Sequence, residues 1–125
     1  MTCPFCNVSE DRIVARGQLV LAITDKYPVS KGHTLIIPKR HVASYFDLTE
    51  VERSEMQRMM IAVKLRLDAD LKPEGYNFGV NIGRAAGQTI DHVHMHLIPR
   101  YGGDMPDPRG GVRGVIPERQ KYPKG

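Results

Sequence analysis

With 125 residues, a net charge of +4, 41% hydrophobic and 26% charged content, the chain suits one globular α+β domain and is too short for two cores. No apolar run approaches the roughly 20 residues of a membrane span, and no signal peptide opens the chain, so a cytoplasmic, non-membrane protein is expected. The basic excess gathers after Pro99, in Arg100, Arg109, Arg113, Arg119, Lys121 and Lys124, and would attract a polyanion; few aromatic residues and no basic helix or stacking platform argue against nucleic acid.

The chain opens on Cys3-Pro4-Phe5-Cys6, a C-x-x-C whose spacing lets two thiolates grip one zinc. A four-coordinate site needs two more ligands, and the candidates are the histidines. A redox pair would need a preceding strand, for which there is no room; an unoccupied reduced pair in an N-terminal loop is the remaining reading. Ile13 to Arg16 and Leu19 to Thr24 read as a hairpin around Gly17, the second strand apolar enough for burial on both faces. Asp25 follows at the strand end, where an Asp commonly makes a turn. His33 then opens the strand Thr34 to Pro38, and Lys39-Arg40-His41 is a basic loop.

One long helix is expected from about Thr49 to Leu71. Thr49 and Glu52 have the spacing of a capping box, and Met56, Met60, Val63, Leu67 and Leu71 form one apolar stripe. Methionines at that spacing read as core filler, and Pro73 and Gly75 terminate the helix. Tyr76 to Ile82 is the next strand, with Asn81 on the face opposite Phe78, Val80 and Ile82.

Gly83 to Thr89 is a turn of small residues. It is either a plain hairpin connection or a loop whose backbone N–H groups, with Gln88 and Thr89 as side-chain donors, approach phosphate oxygens. The segment His92-Val93-His94-Met95-His96-Leu97 then alternates imidazole with apolar side chains. In a strand this puts three rings on one face, roughly 6.6 Å apart, and packs the other face. Residues 101–125 have no usable period. They read as an extended arm packed on the body or a partner, with disorder as the alternative; Val112, Val115 and Ile116, which call for burial, favour packing.

The triad, Gly87-Gln88-Thr89 and the stretch Asp25 to His33 together resemble the histidine-triad (HIT) nucleotide hydrolase and transferase superfamily, over nearly the whole chain. The resemblance implies a five-stranded, mainly antiparallel sheet with one long helix and a shorter helical turn, assembled as a homodimer with a ten-stranded sheet. It implies His94 as nucleophile toward an α-phosphate, its ring held by the backbone carbonyl of His92. His92, His96, Gln88 and Asn81 would meet the phosphoryl charge, Thr89 would help the leaving group, and His33 would orient the site. Asp25 would bind ribose.

In similar bacterial proteins the N-terminal pair joins two histidines around a structural zinc; here the ligands would be Cys3, Cys6, His41 and His92, with residues 1–12 as the zinc-binding segment. No catalytic metal is required. The implied activity is cleavage of dinucleoside polyphosphates, as in prokaryotic diadenosine polyphosphate hydrolase-type members. A phosphoramidase, a phosphorylase and a nucleotide-binding regulatory protein with little turnover are the alternatives.

Overall fold

The computed structural model describes residues 3–123; positions 1 and 2, Lys124 and position 125 lie outside the described residues. Five strands, β1 (Ile13–Arg16), β2 (Val20–Thr24), β3 (Thr34–Pro38), β4 (Gly75–Val80) and β5 (Met95–Arg100), form one sheet in the order β1-β2-β3-β5-β4. Every pairing is antiparallel. The predicted hairpin is present, closed by Gly17 N–H on the Val20 carbonyl at 2.8 Å. Pro38 sits in the central strand β3, yet breaks no ladder, because pairing with β5 ends at Ile36.

Helix α1 (Glu50–Leu71) begins with the predicted capping box: Thr49 Oγ1 accepts the Glu52 N–H and Glu52 accepts the Thr49 N–H. It covers one sheet face, where Met56 and Val63 pack against Ala22, Ile36, Met95 and Leu97. Each such burial is worth roughly 1.5–3 kcal/mol. Met60, Leu67 and Leu71 are only half-buried, and Ile61 and Leu65 are exposed. The helix ends through Lys72, in the left-handed conformation at φ 50°. Pro73 excludes the α conformation at the residue before it, so Lys72 takes the terminating role. Gly75, expected to help end the helix, instead starts β4.

Glu52, the carboxylate of the capping box, is buried. Arg40 grips it with two hydrogen bonds of 2.8 and 3.1 Å, which hold its pKa down to about 2 from an ordinary 4.5 against the opposing effect of burial. A depressed carboxylate stabilises the fold above its ordinary pKa and loses that contribution as pH falls through the folded value. Glu52→Gln should therefore cost about 1–2 kcal/mol at neutral pH, discounted for the half-exposed Arg40. The deficit should shrink as pH drops from about 4.5 toward about 2, as thermal melts at graded pH would read. A deficit unchanged across that window would remove the ion pair as its cause.

β4 stops at Val80 and Ile82 lies outside it. It is an edge strand, and Phe78 is 56% exposed. The expected shorter helical turn is Tyr45–Asp47, capped by Ser44 Oγ on the Phe46 N–H. No helix among the described residues is long and apolar enough to cross a membrane.

The face away from the helix is covered from its two sides by the chain's ends. Phe5 packs on Ile23, Leu35 and Ile37 over β2 and β3. The arm reaches β4, where Gly111 comes so close to Asn77 that an added Cβ would lie 3.2 Å from its Nδ2. The arm folds into two 3-10 turns, Gly111–Val115 and Pro117–Arg119. Arg113 ties them by donating to the Arg119 and Gln120 carbonyls at 2.8 and 3.1 Å. Val112, Val115 and Ile116 are exposed within this one chain, not buried against its body. These backbone-to-side-chain ties close the arm on itself without needing its apolar residues.

Candidate functional site

Only His96 of the three alternating histidines lies inside a strand; His92 and His94 precede β5 as extended chain, because the Val93 N–H bonds to the Val42 carbonyl at 2.7 Å rather than joining the ladder. The alternation persists nevertheless. Val93, Met95 and Leu97 are buried on the helix side, and the imidazoles face the other way.

His92 is fully buried, and both ring nitrogens are committed. Nε2 lies 2.8 Å from the Pro38 carbonyl and must carry the proton. Nδ1 therefore turns a lone pair toward Cys3, Cys6 and His41. Burial and the neighbouring His41 and His94 hold its pKa below the ordinary histidine value, against the Pro38 carbonyl, which raises it. The expectation that His92 donates to phosphate is thus not met by its ring. What His92 offers the centre of the site is its backbone carbonyl, which accepts from His94 Nδ1 at 2.9 Å. With its proton fixed on Nδ1, His94 presents Nε2 as a free lone pair.

A second chain of hydrogen bonds sets the neighbouring tautomers. The Val29 N–H donates to His33 Nδ1 at 3.2 Å, so the proton of neutral His33 is on Nε2, which points at His96 Nδ1 at 2.9 Å. His96 then carries its proton on Nε2, a donor toward the open site. Burial first, then the charges of His94 and His33, push His96 down to about 4, with Asp25 opposing. Burial likewise lowers His33. Both rings are neutral at neutral pH. Asp25 combines the two readings of its position: Oδ1 caps the turn by accepting the Tyr27 N–H at 2.7 Å, while Oδ2 lies 3.4 Å from His33 Nε2.

Asn81 follows β4 and lines the same cavity as His96. Thr89 is exposed. Gln88 is buried and does not offer its amide outward: Nε2 donates to the Ala43 and Ile90 carbonyls and Oε1 accepts the Gly83 N–H. The turn it ties consumes the N–H groups of Gly83, Ala86, Gly87 and Gln88 within itself. Those groups do not form the expected phosphate cradle.

Four ligand atoms from distant parts of the chain meet at one point: Cys3 Sγ, Cys6 Sγ, His41 Nδ1 and His92 Nδ1, all within 4.8 Å of one another. Around a tetrahedral zinc, bonds of about 2.3 Å to sulfur and about 2.05 Å to nitrogen give edges of about 3.6 Å for S···N and about 3.3 Å for N···N. The observed S···N separations are 3.3, 3.4 and 3.6 Å and the N···N separation is 3.2 Å. The donor set and its spacing fit such an ion, and Pro38 orients one ligand from behind.

Phe5, between the two cysteines, escaped notice in the sequence although its ring lies 4.9 Å from that of His94. An aromatic residue inside a C-x-x-C was the available signal.

A model of the HIT domain matches residues 7–103. Among curated relatives, a Mycobacterium tuberculosis protein named AP-4-A phosphorylase is 36% identical over 102 residues, covering 81% of this chain and 52% of that protein. The chain thus spans about half the length of that relative. The adenosine 5′-monophosphoramidase of Schizosaccharomyces pombe is 36% identical, covering 80% of this chain and 75% of its own. The crystal structure of a Zn-bound histidine triad family protein from Mycobacterium smegmatis superposes with a TM-score of 0.66 at 32% identity, covering 85% of this chain and 84% of that one.

Proposed function

Because this chain belongs to the histidine-triad (HIT) family, whose members process nucleotides, we propose that it cleaves dinucleoside polyphosphates, or related nucleotide conjugates, at the α-phosphate through His94. The observation that carries this reading is the His94 Nδ1–H bond to the His92 carbonyl, which frees Nε2 for attack. Nε2 forms a bond to phosphorus as the P–O bond to the leaving group breaks, giving a nucleotidyl-His94 intermediate. Water then releases a nucleoside monophosphate, or inorganic phosphate releases a nucleoside diphosphate. His96 Nε2–H and Asn81 meet the charge on the non-bridging oxygens, and Thr89 serves the leaving group. Asp25 holds the ribose. Gln88 acts by fixing the turn before the triad.

Cys3, Cys6, His41 and His92 would hold a structural zinc, which supplies a fixed anchor for the His92 ring. The edge position of β4, with Phe78 exposed on it, and the exposed Ile61 and Leu65 on the covering helix support a homodimer built by sheet extension. A cytoplasmic protein of one domain is the matching setting. Phosphoramidate cleavage is the second reading, favoured by the Schizosaccharomyces pombe relative; it uses the same nucleophile. A binding protein with little turnover would not need four intact site histidines.

The test is a product assay on diadenosine triphosphate, diadenosine tetraphosphate and adenosine 5′-phosphoramidate, with and without inorganic phosphate. AMP without phosphate identifies a hydrolase, and ADP appearing only with phosphate identifies a phosphorylase. No nucleotide product from any of the three would reject the enzymatic reading.

A further inference from the structure

Asp25 follows β2 and Asn77 to Asn81 belong to β4 and its end, with His33 on the β3 side and His96 on β5 between them. The histidine pair therefore has two flanks. If Asp25 holds the ribose of the transferred nucleotide, that flank is filled, and the leaving group, in line with His94 Nε2, has the other flank open to it. There the surface is not flat.

A cavity of about 480 Å³ borders His33 and His96 on this side. Its floor is Ile98 and Asn77, with Asn81 at one end, and its outer wall is Val112 and Val115 from the arm. The volume falls in the range of small-ligand sites, and the lining combines apolar side chains with amide edges, which suits a base that stacks and hydrogen-bonds. Asn77 keeps its Nδ2 available, since its Oδ1 accepts from Arg100 Nη1 at 2.7 Å.

The wall is held in place by the backbone of this segment of the arm. Gly110 and Gly111 adopt φ of 85° and 45°. An added Cβ on Gly110 would fall 1.8 Å from the Gln120 carbonyl oxygen, which no shift of a flexible side chain could relieve. Val112 and Val115 are thus presented, exposed, toward the cavity rather than buried elsewhere.

We propose that this cavity receives the leaving nucleoside of a dinucleoside polyphosphate, so that the arm selects substrates with a nucleoside at each end. The proposal rests on the reading of the site given above and names the half of the substrate that reading leaves unplaced. A small amine leaving group would not reach the arm.

The experiment compares Val115→Trp, which fills the cavity, and Val112→Ser, which removes its apolar wall, with the unaltered chain. Both positions are exposed, so folding should survive, and thermal melts verify this. The ratio of kcat/KM for diadenosine tetraphosphate to that for adenosine 5′-phosphoramidate should fall about tenfold in Val115→Trp, and in the same direction in Val112→Ser. An unchanged ratio overturns the proposal, as does an equal loss on both substrates, including one caused by altered oligomeric state.

Binding to His94→Asn protein is measured in parallel, with diadenosine tetraphosphate and AMP as probes. Their affinity ratio should favour the tetraphosphate by about tenfold and lose that preference on adding Val115→Trp. If the unaltered chain turns over neither substrate, the nucleophile reading has failed and this binding ratio alone decides: its loss in Val115→Trp supports the leaving-nucleoside site, and its persistence or absence overturns it.

Discussion

Replacing His94 with Asn should reduce turnover of diadenosine tetraphosphate by at least about a thousandfold while leaving nucleotide affinity within a few-fold. The asparagine amide can still donate to the His92 carbonyl, which His94 Nδ1 approaches to 2.9 Å, so local geometry is preserved and the lost element is the nucleophilic lone pair. His33 and His96 remain neutral and bonded to one another, so the phosphate-facing donor persists. Steady-state assays with calorimetric binding would separate the two effects. Residual turnover within about tenfold of the unaltered chain would mean that water attacks phosphorus directly and that no nucleotidyl-histidine forms.

The second large effect concerns the Cys/His group. Changing Cys3 and Cys6 together to Ser should abolish zinc binding, lower the melting temperature by about 10 °C and reduce activity by about 10- to 100-fold. The connection to activity is short. His92 uses Nδ1 toward the cysteines, Nε2 toward Pro38 and its carbonyl toward His94. Loosening the first of these lets the ring rotate and with it the carbonyl that fixes the His94 proton. Phe5, set between the two cysteines and against His94, would be released as well. The unaltered chain, purified without chelator, should carry close to one zinc; less than roughly a tenth of an equivalent would count against the site. Full activity in the double variant with an unchanged melting temperature would reduce the cysteines to bystanders.

Local rules reached far in this chain. The capping box of Thr49 and Glu52, the hairpin around Gly17 and the facing of Val93, Met95 and Leu97 follow from spacing alone, because each depends on residues a few positions apart. Wherever a side chain's partner lies far along the chain, spacing was silent. Glu52 was legible as the N3 carboxylate of the capping box, but not as the partner of Arg40, which folds over to pair with it. Gln88 looked like a donor to ligand, but Ala43, 45 positions away in sequence, supplies the carbonyl that takes its amide. The commitments of the His92 ring could not be read from alternation: it is claimed by Cys3 near the N-terminus, by Pro38 at the end of β3 and by His41 in the loop that follows. The arm was illegible for another reason: its shape is set by glycine conformations and by carbonyl contacts to Arg113 and Gln120 that hydrophobicity does not encode.

The cleft is framed by two segments far apart in sequence, Cys3 to Cys6 on one margin and the Gly111–Val115 turn on the other. A protease that nicks either segment would therefore strike the working surface while leaving the five strands and the helix uncut. Activity would then be lost before the fold is, and limited digestion followed by assay reads that separation.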